Sequence, residues 1–408
     1  MQRLRKATAL CIAWGMAPVV LAAQQSASFE IRDSAGIRVV DNWRAVGESL
    51  LQASSPPILV LGADSDQPPH LFRVVGAVRL EGRSIVVANS GGHELLFFDS
   101  AGRYRTRVGR RGSGPGEFQM LSALRRWLGD TVLAFDTRLR RLSVFDAQGR
   151  HVRDVSLPLF APLLPDLAGV FEDGALGLAQ RAFQLAADGP ARIERPLITL
   201  YRYNSGRRGF DSLVTVPGTE FVVAPVATSG TGAARFARQP REFGLSTVFS
   251  VDRSRVIVAD NEHFQIRLHT PTGKLTHLIR RKHDPVRVSR ADIARLRQER
   301  LARLRDPAVR ALAEQEYHSR PGPRERLPAF EPKVLLDRQG HIWVADYHWP
   351  PDSPFVWSVF DSRGVLVATV RTPHDVEVID AGEDYVLGIW RDPDGAEQLH
   401  QYRIVPER

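Results

Sequence analysis

Four short polar side chains recur at equivalent places along the chain and are the first candidates for chemistry. Each of them ends or follows a short apolar run, and they are Asn89, Asp136, Asp260 and Asp346. Carboxylates in this number suit acid–base catalysis or a metal site. A side chain that recurs in every repeat is more typical of a turn, where short acidic and amide groups accept hydrogen bonds from backbone amides. We therefore interpret all four as structural.

No motif for a catalytic metal, a nucleophile or a phosphate loop is present in the sequence. The glycine-rich run Gly109–Gly116 lacks the lysine of a Walker loop, so its glycines are better explained by positions with positive φ. Arg110 and Arg111 in this run are still able to meet an anion. HExxH, CxxC and GxSxG patterns are absent, and the twelve histidines show no close metal spacing. The sequence predicts no metal, no cofactor and no catalytic residue, although ligands from distant repeats would escape this test.

The densest aromatic cluster is Tyr347, His348 and Trp349, followed by two prolines. The loop that carries it is longer than the equivalent loops elsewhere in the chain. Aromatic side chains in an extended loop can stack on a sugar or peptide ligand, or they can fold over neighbouring structure as packing. The sequence leaves both interpretations open.

The elements that position these side chains are repeated units of short strands. Each unit begins with a phenylalanine, and these are Phe72, Phe118, Phe243 and Phe330. Each phenylalanine precedes its recurrent Asn or Asp by a nearly constant interval. A turn glycine then follows at an equal interval in three of the units and at a longer one in the last. The apolar runs are short and separated by turn residues, which indicates strands. A repeat of about 46 residues matches a four-stranded propeller blade.

The repeats predict an all-β fold, a six-bladed β-propeller formed as a single domain by residues 24–408. The last three strands leave the sixth blade one strand short, while the N-terminal segment has a strand to spare. Pairing the two closes the ring and removes exposed edges. The predicted blades are 71–109, 118–157, 160–216, 243–281, 330–372, and a sixth built from both termini.

Residues 289–318, between the fourth and fifth blades, break the β pattern and predict a helical hairpin. Ser289 and Asp292 form a capping box, and Asp306-Pro307 starts a second helix. The hairpin is rich in arginine, which would suit an anionic membrane. Its acidic residues dilute that charge, so we favour a solvated insert packed over one face of the ring.

The N-terminal segment 1–23 has the features of a signal peptide. Arg3, Arg5 and Lys6 precede an apolar core, Ala7–Ala17, and small residues offer a cleavage site that would place the mature N-terminus at Ala23 or Gln24. The net charge of +9 then falls to +9 − 3 = +6, which is weak support for nucleic-acid binding. Cys11, the only cysteine, lies in the leader and is wrongly placed for lipidation. These features predict a secreted or periplasmic protein without disulfides.

The junction Gly109–Phe118 resembles the blade junction of the NHL-repeat family, in which a glycine-rich loop ends in an aromatic residue. Ile85–Asn89, Val256–Asp260 and Ile342–Asp346 are similar to that family's strand-then-Asp element. The layout also resembles secreted bacterial six-bladed propellers. The resemblance covers most of residues 71–372, and it implies an architecture but no activity.

A six-bladed ring has a central channel lined by the inner strand of each blade. We expect a polar channel mouth at the starts of these strands. After the anchoring aromatics it is formed by Arg73, Gln119, Glu331 and Lys333, and at the start of the last blade by His374 and Asp375. Such a mouth, with the aromatic cluster nearby, favours non-enzymatic binding of a polar small molecule or a protein partner by a monomer. The alternative is a calcium-dependent enzyme of the lactonase or lyase kind. It would need several oxygen ligands on the channel axis, and only Glu331 and Asp375 are plausible contributors.

Overall fold

The structure is a computed structural model that describes residues 28–46, 50–62, 69–157, 165–182, 189–226 and 235–407. The predicted signal peptide lies outside the described residues. Within them, no helix combines the length and the apolar character needed to cross a membrane.

The described ranges contain thirty strands, two α-helices and a short 3-10 helix (Ser90–Gly92), and most of the strands form six blades around a ring. The N-terminal segment contributes β1 (Phe29–Ser34), β2 (Ile37–Asn42), β3 (Leu50–Ala53) and β4 (Leu59–Leu61). Blade 1 comprises β5 (Val74–Arg79), β6 (Ile85–Asn89), β7 (Glu94–Phe98) and β8 (Tyr104–Val108). Blade 2 comprises β9 (Leu121–Arg126), β10 (Val132–Asp136), β11 (Arg141–Phe145) and β12 (His151–Ser156). Both of these blades are four-stranded antiparallel sheets.

Blade 3 has an extra small sheet beside it. Its own strands are β13 (Asp166–Phe171), β14 (Leu176–Arg181), β16 (Leu197–Asn204) and β17 (Gly209–Pro217). The small sheet has the order β15–β18–β19 and consists of β15 (Arg192–Glu194), β18 (Phe221–Val226) and β19 (Arg235–Pro240).

The remaining blades flank the helices. Blade 4 contains β20 (Thr247–Arg253), β21 (Arg255–Asp260), β22 (Gln265–His269) and β23 (Leu275–Arg281). The helices α1 (Arg290–Ala302) and α2 (Pro307–Ser319) follow, with Ser289 and Asp292 forming a capping box and Asp306 capping α2. Blade 5 contains β24 (Phe330–Leu336), β25 (Ile342–Asp346), β26 (Phe355–Phe360) and β27 (Leu366–Thr372), and blade 6 contains β28 (Val376–Ala381), β29 (Tyr385–Arg391) and β30 (Glu397–Pro406).

The N-terminal strands run along the outside of three blades. β2 pairs in parallel with β23 of blade 4, and β3 lies between β27 of blade 5 and β30 of blade 6. β4 pairs antiparallel with β30 and thereby supplies the fourth strand of blade 6. Backbone hydrogen bonds thus join the N-terminal segment to the C-terminal strand of the chain.

The hydrophobic core lies between neighbouring blades. Val86 and Phe97 of blade 1 pack with Leu124 and Val132 of blade 2, and Leu61 of β4 packs with Leu399 of blade 6 in a cluster that extends into blade 1. The inner strands β5, β9, β13, β20, β24 and β28 surround the axis, and β13 pairs in parallel with β20 over Gly169–Phe171. This last pairing joins blades 3 and 4 into one continuous sheet.

The anchoring role expected of the repeat phenylalanines holds for three of the four. Phe118, Phe243 and Phe330 are buried, whereas Phe72 is 55% exposed and Leu71 is buried beside it. The prediction for Phe72 is wrong because the chain turns at this point: Arg73 has a φ of 53°, and Phe72 lies outside, against Gly91. An anchor one residue earlier fills the same place in the core.

Candidate central channel

The candidate functional site is the central channel, a cavity of 1170 Å³ lined by residues of all six inner strands. The strands converge on the axis because each blade packs its apolar faces against its neighbours. Side chains on the innermost edge then have no blade to pack against, and polar groups can remain hydrated there.

Arg125 of β9 is a charge in the channel that has no close acidic partner among the described residues. Its guanidinium donates a hydrogen bond to the carbonyl oxygen of Leu124 at 2.9 Å, and no described residue places a carboxylate within 4.0 Å of it. Arg125 is exposed to the water of the cavity, and residues of all six inner strands surround that cavity. Desolvation in these surroundings lowers the pKa of Arg125, and the more distant carboxylate of Asp380 opposes that shift.

Lys333 of β24 is another cation that lines the same cavity. Burial lowers the pKa of the Lys333 ammonium, the charge of Arg125 lowers it further, and Glu377 acts in the opposite direction. The Lys333 Nζ lies 3.6 Å from the nearer Glu377 oxygen, but that carboxylate also binds Arg391 at 3.0 Å. Glu377 is therefore shared between Lys333 and Arg391.

A closed network of charges occupies the ends of β5, β9 and β28. Asp380, which is buried, is paired with the guanidinium of Arg126 and accepts hydrogen bonds from the Tyr385 hydroxyl at 2.7 Å and the Arg79 backbone amide at 3.1 Å. All of these groups have partners, so the network stabilises the ring and offers little to a ligand.

The structure does not bring the six predicted mouth residues together. Arg73 and Gln119 precede β5 and β9 and do not line the channel cavity, whereas Lys333 does. Glu331 lies in β24, where it accepts the His348 amide at 2.8 Å, and burial raises the pKa of its carboxyl group. His374 and Asp375 precede β28 and are exposed, and Asp375 accepts a hydrogen bond from the indole of Trp390 at 2.9 Å.

The aromatic cluster contacts protein groups on several sides, as the packing interpretation requires. The Trp349 Nε1 donates to Asp292 of α1 at 2.7 Å, and its ring meets Phe243 edge-on at 5.1 Å. His348 stacks on Phe355 at 3.8 Å, and Tyr347 also contacts Phe243. The cluster therefore attaches the helical segment to blades 4 and 5.

The recurrent Asn and Asp side chains act in two ways. Asn89 accepts the amide of Phe72 at 2.8 Å, and Asp136 accepts three amides, including that of Gln119 at 2.6 Å. Asp260 accepts the amide of Glu262 at 3.1 Å and also binds the guanidinium of Arg195, and Asp346 binds that of Arg281. In the part of the chain that the structure describes, no three His, Cys, Asp or Glu side chains are placed to hold a metal ion.

Arg125 is the residue that sequence reasoning missed. The signal was present as Arg125-Arg126 near the end of the strand that follows Phe118, where an inner strand packed on both sides would be apolar. The predicted polar lining lies at the start of each inner strand, but in β9 the cavity-facing cation comes near the end.

A family model matches the first part of the propeller. A family model described as a 6-bladed beta-propeller, DUF5128, matches residues 69–158, which contain blades 1 and 2. Together with the six blades, this match establishes the architecture. The chain is a six-bladed β-propeller. No curated protein matches its sequence.

Solved structures with a similar arrangement are distant in sequence. A putative exported protein from Bacteroides fragilis has 12% identity and a TM-score of 0.46, covering 91% of this chain and 100% of that one. Regucalcin, a calcium-binding protein from Agrobacterium tumefaciens, has 12% identity and a TM-score of 0.40, with coverage of 88% and 97%. A gluconolactonase from Xanthomonas campestris has 13% identity and a TM-score of 0.41, with coverage of 86% and 99%. At this level of similarity none of the three carries an argument about the ligand or activity of this propeller.

Proposed function

We propose that this propeller is a non-enzymatic binding protein whose channel holds a small anionic molecule, such as a carboxylate, and releases it unchanged. The observation that carries the proposal is Arg125, a guanidinium inside a 1170 Å³ cavity with no carboxylate within 4.0 Å among the described residues. Lys333 on a different blade adds positive charge to the same space. An anion placed between them would supply the missing acceptor for Arg125.

The calcium-dependent enzyme considered from sequence has less support. Calcium binds through six to eight oxygen ligands, whereas Arg125 and Lys333 give this cavity two cations that would repel it. The described residues contain no acidic or histidine cluster suited to a metal.

The test is thermal unfolding and calorimetric titration with succinate and citrate, using glucose as a neutral comparator of similar size. A ligand at a hundred times its Kd adds about 2.7 kcal/mol to the free energy of unfolding, so binding gives a measurable rise in Tm. We expect the carboxylates to raise Tm and glucose to leave it unchanged. The Arg125→Gln/Lys333→Gln variant should lose tenfold or more in affinity, since a hydrogen bond to a charged group is worth about 1.5–3 kcal/mol.

The matched control is Arg73→Gln, which removes an exposed arginine outside the cavity. If Arg73→Gln loses as much affinity as the double variant, the ligand binds at the mouth predicted from sequence and not in the channel. A fall in Tm with EDTA that calcium reverses would contradict the proposal and favour the enzymatic alternative.

We also propose that the protein acts in the periplasm or outside the cell. The support is the basic start, apolar core and small-residue cleavage site within the N-terminal segment 1–23. Sequencing of secreted or periplasmic material should begin at Ala23 or Gln24, and material that begins at Met1 would contradict this assignment.

A further inference from the structure

We propose a second ligand site, separate from the channel, that binds a tetrahedral oxyanion: phosphate or sulfate, free or as an ester group. The site is a 480 Å³ cavity between blades 1 and 2, and we call it the seam cavity. It is lined by His93, Arg111, Gly112, Gln119 and Arg138. Neither the channel nor its cations contribute to it.

The two arginines of the seam cavity lack acidic partners. Within the described ranges no carboxylate lies within 4.0 Å of Arg111 or Arg138, whereas the adjacent Arg110 is paired with Glu117 at 2.7 Å. Two guanidiniums beside one cavity repel each other, and a doubly charged oxyanion would convert that repulsion into two bidentate contacts. The guanidinium fork matches the spacing of phosphate and sulfate oxygens.

The backbone that carries these side chains is fixed on both sides of the cavity. The carboxylate of Asp136 accepts the backbone amides of Gln119 at 2.6 Å and of Leu139 at 2.8 Å. One side chain thus fixes the backbone at Gln119 and next to Arg138. Arg141 donates to the carbonyl oxygens of Ser113 at 2.9 Å and Gly114 at 2.8 Å, which fixes the glycine-rich loop next to Arg111. A rigid scaffold of this kind lowers the entropic cost of ordering the ligand-binding groups.

His93 and Gln119 add uncharged polar groups to the lining. His93 has a φ of 56°, and its Nδ1 is inaccessible to water and has no hydrogen-bond partner among the described residues. A buried polar atom without a partner costs free energy, and each such exception calls for an explanation such as an ion or a water molecule. A ligand with several acceptor oxygens suits a cavity whose other polar groups are mainly donors.

Recognition here differs from that of a phosphate loop. The Gly112 amide donates to the Phe118 carbonyl oxygen at 3.2 Å, and the Gly114 amide donates to the Glu117 carboxylate at 2.8 Å. These loop amides are used within the loop itself, so the side chains of Arg111 and Arg138 must provide the contacts.

The experiment is calorimetric titration of the full chain with inorganic phosphate, sulfate and O-phosphoserine, with acetate as a planar comparator. The test variant is Arg111→Gln/Arg138→Gln. The matched control is Arg105→Gln, an exposed arginine on β8 that does not line the seam cavity. The channel variant Arg125→Gln/Lys333→Gln distinguishes this site from the proposed anion site in the channel, on which it does not depend. Circular dichroism confirms the folding of every variant.

We expect phosphate and sulfate to bind more tightly than acetate, and the seam variant to lose tenfold or more in affinity. Arg105→Gln and the channel variant should keep this binding. Tighter binding of O-phosphoserine than of phosphate would identify an ester as the ligand form, and the reverse would identify the free ion. The proposal is overturned if the seam variant binds phosphate as the wild type does, if Arg105→Gln loses as much, or if acetate binds equally well.

Discussion

Arg125 on β9 and Lys333 on β24 are cations of different blades that face the same cavity. Burial lowers the pKa of the Lys333 ammonium, and the nearby guanidinium of Arg125 lowers it further. Two like charges are thus held in a confined space, and the arrangement is most stable when an anion neutralises them. If the channel binds an anion as proposed, that binding should depend on pH.

The affinity of the channel for succinate should fall as pH rises. The anion binds best when Lys333 is charged. Because the pKa of Lys333 is lower than the ordinary lysine value of 10.5, Lys333 loses its proton at a lower pH than an ordinary lysine does. Affinity should therefore be greatest well below that pKa and decline as pH rises through it. Calorimetric titration over a series of pH values checks this. Lys333→Arg should bind at high pH without the decline, because an arginine stays charged, and a decline that persists in Lys333→Arg would assign the titration to another group.

Substitution of a turn glycine should lower the free energy of unfolding most where the turn packs against a neighbouring blade. Gly364 and Gly395 occupy equivalent turns with φ of 84° and 89°. A Cβ on Gly364 would lie 2.6 Å from Cγ1 of the buried Ile279, whereas a Cβ on Gly395 meets nothing within 4 Å. Both alanine variants carry left-handed strain of about 1–2 kcal/mol, and Gly364→Ala adds about 1–3 kcal/mol of overpacking. Urea unfolding measures both, and equal losses would contradict this account.

The turns and the blade count were predictable because they depend on neighbours in sequence. Asp99, Asp146 and Asp361 each accept the amides two and four residues later, and a glycine with positive φ follows. Because these hydrogen bonds join residues that are close in sequence, the spacing of the Asp and the glycine predicts each turn directly.

The channel lining was harder to predict because it depends on strand register. The inner strands begin at different distances from their anchors: β24 begins at Phe330 itself, whereas β9 begins three residues after Phe118. In addition, the register of β24 against β25 shifts between Phe330 and Val334. A shift of one residue turns a side chain from the channel to the blade. The direction of Arg125 and Lys333 is therefore set by irregular pairing, which no repeat spacing records.

Removal of the buried acid of the Arg126 network should strongly destabilise the fold. In Asp380→Asn the guanidinium of Arg126 loses its carboxylate partner, and breaking a buried pair in this way costs about 3–5 kcal/mol. Asp211→Asn is the control, because both side chains of its pair with Arg207 are exposed, and exposed pairs contribute at most about 1 kcal/mol. Urea unfolding of both variants is the measurement. Similar losses would show that Asp380 contributes no more than a surface charge.

Trp349 should hold the helical segment rather than bind the ligand. Trp349→Phe keeps a ring against Phe243 but removes the hydrogen bond to Asp292, which lies in the first turn of α1. Loss of a hydrogen bond to a charged group costs about 1.5–3 kcal/mol. The backbone amides of α1 should therefore exchange hydrogen roughly tenfold faster or more. The affinity of the channel for succinate should stay unchanged. The control Trp390→Phe removes the same kind of bond to Asp375 on blade 6 and should leave α1 protected. Unchanged exchange in α1 together with weaker succinate binding in Trp349→Phe would instead place this ring against the ligand.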